Sequence, residues 1–374
     1  MRMQTLTASE RGWSLWSALL LGMSALAAVT AILAVLLVIT GHDVGPALAA
    51  LWRGSLGSEF AITSATLVRA IPLILAGLAV ALAFRAGVWN IGAEGQLLAG
   101  AAAATAIGIA WGPRLGLSAP LVIIAGAALA GALVAGTAGV LRARFGVLEI
   151  ISTIMLNFTI LHIVGYLVRG PMQEPTGIYP QSATLPIEAR LPLIIPETRL
   201  HLGLLLAIAA AAITWLVLRH TAAGFRIRAV GANPVAARTA GSIDVGMTTL
   251  RVFLVSGALA GIAGGAEVAG VTYTLYETLS PGYGYSAIAV ALLARLHPLG
   301  ILASGTFLGA LQAGGAAMQR EAGVPSVLVA IVEAMLIIGM VLLTRTSSLL
   351  VWPADRFTEM QPGSTTRGRT EASS

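Results

Sequence analysis

Long apolar runs recur along the chain and constrain its fold more than any other feature. Of the 374 residues, 57% are hydrophobic and 10% are charged, whereas a soluble domain carries about 25% charged residues. A helix that crosses a bilayer needs about 20 mainly apolar residues. The sequence therefore predicts an all-α polytopic membrane protein. About ten segments are candidate spans, namely residues 15–40, 66–84, 87–111, 118–141, 147–168, 201–218, 250–270, 285–296, 299–318 and 327–344.

The distribution of basic residues predicts how the chain crosses the membrane. Basic side chains collect in cytoplasmic loops, and with the N-terminus inside, fifteen of the 22 basic residues lie on the inner side. We therefore expect a cytoplasmic N-terminus (1–14), a membrane domain (15–345) and a cytoplasmic tail (346–374). The first apolar run is longer than the 7–15 residues of a signal peptide, so a retained first span is expected.

Two long loops interrupt the spans of this predicted topology. The loop 169–200 is rich in Pro and lies outside, where it is a lid, a docking surface or a spacer. The loop 219–249 lies inside and is rich in Arg. Near the inner membrane edge, Glu149 is a candidate ion-pair partner of Arg142 or Arg144.

Two polar breaks open apolar runs in the two halves of the chain. Residues 84–96 read FRAGVWNIGAEGQ, and residues 280–285 read SPGYGY. Lipid cannot satisfy freed backbone groups, so such a break persists only where protein or a water-filled path surrounds it. The first break places Asn90, Glu94 and Gln96 at a candidate pathway, although an ordinary polar loop between two spans is the alternative. Paired breaks of opposite orientation are typical of inverted repeats.

The inner loop contains a short helix signal. Asn233 can accept hydrogen bonds from the first free amides of a helix, and Pro234 suits its first position. The pattern predicts a helix over 235–239 that ends at Gly241, with Arg238 offering a planar fork to a carboxylate. Such a helix suits a groove on another protein, or it is an ordinary amphipathic loop helix.

The composition excludes several kinds of chemistry. The chain has no Cys, and all of its basic residues are Arg, so thiolate metal sites and a Walker A nucleotide site are excluded. The His residues lack metal-ligand spacing, and the Arg residues form no basic stripe for nucleic acid. We expect no metal, no cofactor and no catalytic residue. Any ATP that drives this protein must bind to another subunit.

Several segments resemble the permease subunits of ABC importers, in the branch that handles nucleosides and simple sugars (the branched-chain amino acid, ribose and nucleoside permease family). The resemblance covers most of the chain between its tails. The residues that carry it are PLILAGLAVALAFRAGVWNIGAEGQ (72–96), GANPVAARTAGS (231–242), GYGYSAIAVALLARLHPLG (282–300) and, more weakly, FGVLEIISTIMLN (145–157). Ser242 precedes Ile243 where many relatives pass from Gly to Ile directly, which affects the helix end rather than its role.

The resemblance implies a set of partners and roles. Such permeases reside in the bacterial inner membrane and work in pairs, often as two different chains. They bind cytoplasmic ATPase subunits and receive the nucleoside or sugar from an extracytoplasmic binding protein. By analogy, a coupling helix that docks the ATPase would comprise Gly231, Asn233, Ala236, Ala237, Arg238 and Gly241. The substrate path would be lined by Asn90, Glu94, Gln96 and Asn157, with Tyr283 and Tyr285 near its outer mouth.

Other readings of the sequence remain open. Glu267 and Glu333 fall inside predicted spans, where a charge is costly; they pack against polar groups or serve as proton relays in an ion-coupled secondary transporter. A membrane enzyme with its active site in the loop 169–200 is a further alternative, but the three Glu residues of that loop are widely spread. Within the family, a ribose-type sugar is the alternative substrate.

Overall fold

The computed structural model describes residue 27 and residues 30–239, 243–325, 327–335 and 338–339. Regular structure in these residues is almost entirely helical, and β-structure is limited to isolated bridges such as Gln181–Tyr276. The prediction of an all-α protein is therefore confirmed for this part of the chain. The predicted N-terminal segment 1–14, half of the first span and the tail 346–374 lie outside the described residues.

The helices follow the apolar runs. They are α1 (Thr30–Ile39), α2 (Val44–Ser55), α3 (Leu67–Arg85), α4 (Ala93–Leu115), α5 (Ala119–Phe145), α6 (Glu149–Arg169), α7 (Gly203–His220), α8 (Ala222–Ala232), α9 (Pro234–Thr239), α10 (Val245–Glu267), α11 (Tyr283–Leu293), α12 (Pro298–Ala322) and α13 (327–335). A π-helical turn, Ala61–Thr66, leads into α3, and a second, Val268–Thr272, extends α10.

Six helical segments of the described chain are long and apolar enough to span a membrane. One of them, Ala93–Phe145, has 53 residues; as a straight rod it would measure about 80 Å, more than twice the thickness of a bilayer core. The chain instead turns at Gly116, whose φ is +52°, and α4 and α5 pack against each other as a hairpin. The two predicted spans 87–111 and 118–141 are thus separate. The total of about ten spans remains a prediction.

The burial of the spans separates a central group from a peripheral group. In the most apolar stretch of Ala61–Arg85, 83% of the residues are buried, and in Val245–Thr272 the value is 78%. The corresponding value is only 22% for Ala93–Phe145 and 28% for Glu149–Arg169. A helix that is hydrophobic all round and also exposed is typical of lipid contact. We therefore place α3 and α10 at the centre, with α5 and α6 facing lipid.

Small residues bring the central helices close together. A Cβ atom built on Gly264 of α10 would lie 1.9 Å from the carbonyl oxygen of Leu97, and one on Gly261 would lie 2.1 Å from that of Ala127. Helices in lipid associate through such small-residue contacts because no hydrophobic force drives them together. The Gly spacing of α10 therefore fixes its position against the α4–α5 hairpin.

The Pro-rich loop between α6 and α7 lies across the chain that follows α10. Its backbone amides donate to carbonyls of that segment, from Leu185 to Tyr273 at 2.7 Å and from Leu191 to Ala269 at 2.8 Å. The Arg190 guanidinium lies 4.4 Å from the centre of the Tyr273 ring. The predicted external loop is therefore an ordered cover over the end of α10.

Candidate functional site

The two predicted breaks meet in the structure. The first ends where α4 begins at Ala93, and the second ends where α11 begins at Tyr283. The amide of Gly284 donates to the Glu94 Oε2 atom at 2.7 Å, and a Cβ atom on Gly284 would lie only 2.2 Å from the Glu94 nitrogen. The N-termini of two helices, each with free amides and a positive dipole end, therefore face each other with a carboxylate between them.

A buried network of amide and hydroxyl groups holds the first break in shape. The Asn90 Nδ2 atom donates to Gln96 Oε1 at 3.0 Å and to Ser256 Oγ at 2.9 Å, and its Oδ1 accepts from Gln96 Nε2 at 2.9 Å and from the Gly92 amide at 3.0 Å. Ser256 in turn donates to the Ala79 carbonyl at 2.7 Å. The side chain of Asn90 thus uses both of its donors and its acceptor within the protein.

Asn157 has a similar role from α6. Its Oδ1 accepts from the Gly95 amide at 2.8 Å, and its Nδ2 donates to the Ile91 carbonyl at 2.9 Å and, more weakly, to the Tyr285 hydroxyl at 3.4 Å. Asn157 is buried, while Tyr285 is 43% exposed. We refer to Asn90, Gln96, Asn157 and Ser256 as the amide network. Its members share hydrogen bonds that fix the backbone of the break.

A second polar group lies along α10 from this network. Glu267 is the last residue of α10, eleven residues after Ser256 and so about 16 Å farther along the helix axis. Its carboxylate interacts electrostatically with Arg69 of α3. The Tyr283 side chain interacts electrostatically with both Glu267 and Glu94. We refer to Arg69, Glu267, Tyr276 and Tyr283 as the Glu267 group.

Glu267 differs from every member of the amide network in its bonding. Only 6% of the residue is exposed, yet its carboxylate has neither a hydrogen bond nor an ion pair within the described residues. The sequence leaves the role of Glu267 open, because a single Glu in an apolar run does not indicate which groups surround its side chain. Tyr283, which was predicted near the path, is 5% exposed and interacts electrostatically with the carboxylates of both Glu94 and Glu267.

Glu333 is bonded in the opposite way. Its Oε2 accepts from the Ser286 hydroxyl at 2.6 Å, and its Oε1 accepts from Gln312 Nε2 at 3.0 Å. These bonds join α11, α12 and α13. Of the two readings that the sequence allowed for Glu333, packing against polar groups agrees with the structure.

The predicted cytoplasmic loop contains the expected short helix. The Asn233 Oδ1 atom accepts from the amides of Val235 and Ala236, both at 3.0 Å, and α9 runs from Pro234 to Thr239. Ala237 is buried and Arg238 is exposed, while Gly241 lies outside the described residues. The sequence did not predict α8, and Gly231 belongs to the end of that helix.

Gly231 connects this loop to the first break. A Cβ atom on Gly231 would lie 2.0 Å from the carbonyl oxygen of Arg85, and a Cβ atom on Gly87 would lie 3.4 Å from the Gly231 Cα. The turn after α3 is also held by Glu149, which pairs with Arg142 as predicted and accepts from the Trp89 amide at 3.4 Å. The loop therefore rests directly on the backbone that leads into the amide network.

The predicted external loop contains a carboxyl group with a shifted pKa, that of Glu174. The carboxylate of Glu174 accepts hydrogen bonds from Gln181 Nε2 at 2.8 Å and from the Thr176 hydroxyl at 2.7 Å. These bonds favour the charged form and lower the pKa of Glu174. They order the exposed tip of the loop without forming a site.

The chain as a whole is similar to permease proteins of ABC transporters. The chain is 42% identical over 298 residues to the glucose ABC transporter permease protein TsgB13 of Haloferax volcanii, covering 77% of each protein. It is 40% identical to the guanosine ABC transporter permease protein NupP of Bacillus subtilis, over 82% of this chain and 88% of that protein. It is 35% identical to the nucleoside ABC transporter permease protein NupB of Lactococcus lactis, over 77% of this chain and 80% of that protein.

A protein-family model matches most of this chain, whereas no solved structure matches it significantly. The model of the family described as the branched-chain amino acid transport system, permease component, matches residues 62–344, which include both breaks and the loop 219–249. Members of such a family are transport components rather than catalysts, in agreement with the absence of a Walker A Lys from the sequence. The chain therefore belongs to the permease component family of branched-chain amino acid transport systems.

Proposed function

We propose that this protein is the membrane-spanning translocation subunit of an ATP-driven importer of nucleosides. The observation that supports it most is the meeting of α4 and α11 at Glu94 and Gly284, because helix breaks inside a membrane are kept where they line a path for solute. The path would pass Asn90, Glu94, Gln96, Asn157, Tyr283 and Tyr285. In this proposal the amide network shapes the wall of the path, whereas Glu94 and Tyr283 lie where solute passes.

The topology belongs to the same proposal. The chain crosses the bacterial inner membrane about ten times between a cytoplasmic N-terminus (1–14) and a cytoplasmic tail (346–374), and the membrane domain occupies 15–345. The two halves form an inverted repeat whose broken helices are α4 and α11. The loop 169–200 is extracytoplasmic, and the loop 219–249 is cytoplasmic and couples the permease to its ATPase.

The relatives support nucleosides as the substrate. Two of the three proteins compared above are named as guanosine or nucleoside permeases, and the third is named as a glucose permease. A simple sugar is therefore the alternative substrate. An ion-coupled transporter is a weaker alternative, because Glu333 is fully engaged in hydrogen bonds and the matching relatives are ABC components.

The mechanism requires partners that this chain does not supply. A second permease, often a different chain, completes the path, and a binding protein delivers the solute from outside. ATP closes a pair of cytoplasmic ATPase subunits, which move α9. Because Gly231 contacts the Arg85 carbonyl, movement of the loop is transmitted to the turn before Asn90, and the path changes the side to which it opens.

Uptake by a reconstituted importer tests this proposal. Proteoliposomes would contain this chain, its partner permease and the ATPase, with the binding protein added outside and ATP enclosed. We expect labelled guanosine to accumulate with ATP and to continue accumulating when a protonophore is added. Accumulation by this chain alone, or its collapse with the protonophore, would contradict the proposal. Uptake of glucose or ribose without guanosine would favour the alternative substrate.

A charge reversal tests the coupling helix. Arg238→Glu should reduce ATPase co-purification and uptake about tenfold or more, because Arg238 would be buried in a charge pair once the ATPase docks, and losing one partner of such a pair costs about 2–5 kcal/mol. Arg114→Glu is the matched control, since Arg114 is exposed and lies on the opposite side of the membrane in the proposed topology. Equal ATPase capture by the wild-type protein and the Arg238→Glu variant would remove Arg238 from the docking surface.

A further inference from the structure

The carboxylate of Glu267 lacks the partner that a buried carboxylate requires. It is 6% exposed at the C-terminal end of α10, where the helix passes into the π-helical turn Val268–Thr272. No donor of the described residues forms a hydrogen bond with this carboxylate. The π-helical turn that follows it is a feature that is frequent at functional sites. The Glu267 oxygens are not among the fully enclosed atoms that lack a partner, so they border accessible space, where a ligand can supply the donors that the fold does not.

The surroundings define what such a ligand must offer. Arg69, Arg199, Tyr276 and Tyr283 all interact electrostatically with the carboxylate, and none of them forms a hydrogen bond or an ion pair with it. Tyr283 also interacts with Glu94, whose carboxylate accepts a hydrogen bond from the Gly284 amide. The oxygens of a carboxyl group accept hydrogen bonds, so a ligand that carries donors can bind there, and vicinal hydroxyl groups match the two oxygens of one carboxyl group.

We propose that Glu267 is a specificity-determining residue that accepts hydrogen bonds from the sugar hydroxyls of the transported solute. This inference rests on the proposed transport function and names the part of the solute that the permease recognises. Carboxylates that bind the ribose hydroxyls of dinucleotides use the same chemistry. The aromatic faces of Tyr276 and Tyr283 suit the apolar face of a sugar ring or a nucleobase.

The proposed contact also explains how relatives with different named substrates share one architecture. The relatives are named for glucose and guanosine; guanosine carries a base on a five-membered sugar ring and glucose is a free six-membered sugar, but both present adjacent hydroxyl groups. A site that bonds these hydroxyls serves both kinds of solute, and the choice between them is made elsewhere in the importer. The ligand group is therefore a vicinal diol, supplied either by a nucleoside or by a free sugar.

The experiment compares the uptake of a diol and its dideoxy analogue. The complete importer in proteoliposomes would be given labelled guanosine or 2′,3′-dideoxyguanosine, with the same binding protein in every assay so that its own selectivity cancels between variants. Uptake would be divided by the amount of assembled complex. The variants are Glu267→Gln and, as a matched control, Glu333→Gln, which alters a buried carboxylate that is bonded within the protein.

The expected result is a loss of discrimination confined to Glu267. Hydrogen bonds to a charged group contribute about 1.5–3 kcal/mol, so Glu267→Gln should reduce the preference for guanosine over its dideoxy analogue about tenfold or more. Glu333→Gln should keep the wild-type preference. An unchanged preference in Glu267→Gln, or an equal loss in Glu333→Gln, would overturn the inference.

Two additional measurements address a variant that fails to assemble and an importer that does not transport guanosine. If Glu267→Gln does not assemble, Glu267→Asp retains an acceptor and should keep a preference for guanosine; an assembled Asp variant without preference overturns the inference. If the wild-type importer moves ribose but not guanosine, the nucleoside function fails. The hydroxyl contact is then judged by the preference for ribose over 2-deoxyribose in the same variants.

Discussion

The amide network and the Glu267 group are both polar regions inside a membrane protein, yet they are built differently. In the amide network, Asn90 has every donor and acceptor bonded to the protein, and Asn157 bonds to three separate groups. In the Glu267 group, a buried carboxylate has no bonded partner within the described residues. Removing a member of the first region leaves buried groups unsatisfied, whereas changing the second removes an acceptor that the fold does not use.

This difference assigns roles to residues that look alike in the sequence. Polar side chains in apolar runs are costly, and the cost is offset either by the fold or by a solute. Hydrogen bonds within the protein indicate the first case for Asn90, Gln96 and Ser256. Glu267 has no such bond within the described part of the chain, in keeping with the proposed second case. Glu94 is intermediate between the two regions in its bonding, because one of its carboxylate oxygens accepts a hydrogen bond from the Gly284 amide.

The largest effect is expected from Asn90→Ala. The change would leave Gln96, Ser256 and the Gly92 amide with unsatisfied buried groups, each costing about 1–3 kcal/mol. We expect a large fall in the melting temperature of the purified protein in detergent and little assembled complex. Thr137→Ala is the control, since this exposed hydroxyl bonds only to its own helix. An Asn90→Ala variant that melts like the control would show that the hydrogen bonds of Asn90 do not stabilise the fold.

An intermediate effect is expected from Gly284→Ala. The added Cβ atom would lie 2.2 Å from the Glu94 nitrogen, so the N-termini of α4 and α11 must separate, at a cost of about 1–3 kcal/mol for overpacking. Uptake should fall more than stability, because the junction of the broken helices is displaced. Gly45→Ala serves as the control, as its Cβ position is open. Wild-type uptake by Gly284→Ala would show that the close approach is not needed for transport.

The smallest effect is expected from Tyr285→Phe. The bond from Asn157 to the Tyr285 hydroxyl is long, at 3.4 Å, and Tyr285 is 43% exposed, so its loss should cost less than about 0.5 kcal/mol. The melting temperature should stay within experimental error of the wild-type value. A fall as large as that of Gly284→Ala would mean that the amide network extends to Tyr285.

The sequence predicted the features that depend on local composition. Gly, Asn and Pro mark the breaks at 84–96 and 280–285, and the Asn233 cap and the Arg142–Glu149 pair follow from neighbours in the chain. Features that depend on distant contacts could not be predicted. Ser256 looks like a lone hydroxyl in an apolar run, and its bond to Asn90 spans 166 residues.

The role of a glycine also could not be predicted from the sequence where it depends on a distant contact. Gly231 reads as part of a turn, but the structure gives it a different reason, since only Gly allows α8 to approach the Arg85 carbonyl. The helix α8 itself was missed because its apolar residues alternate with Arg in the predicted loop. The bonding state of Glu267 was equally hidden, because it depends on which side chains of α3, α4 and α11 reach the end of α10.

The selectivity of the complete importer tests the contrast between the two regions most directly. The measurement is the ratio of guanosine uptake to 2′,3′-dideoxyguanosine uptake per assembled complex, in Ser256→Ala and in Glu267→Gln. We expect Ser256→Ala to keep the wild-type ratio even where it lowers the melting temperature, and Glu267→Gln to lower the ratio about tenfold or more. An unchanged ratio in Glu267→Gln, or an equal fall of the ratio in Ser256→Ala, would contradict this assignment.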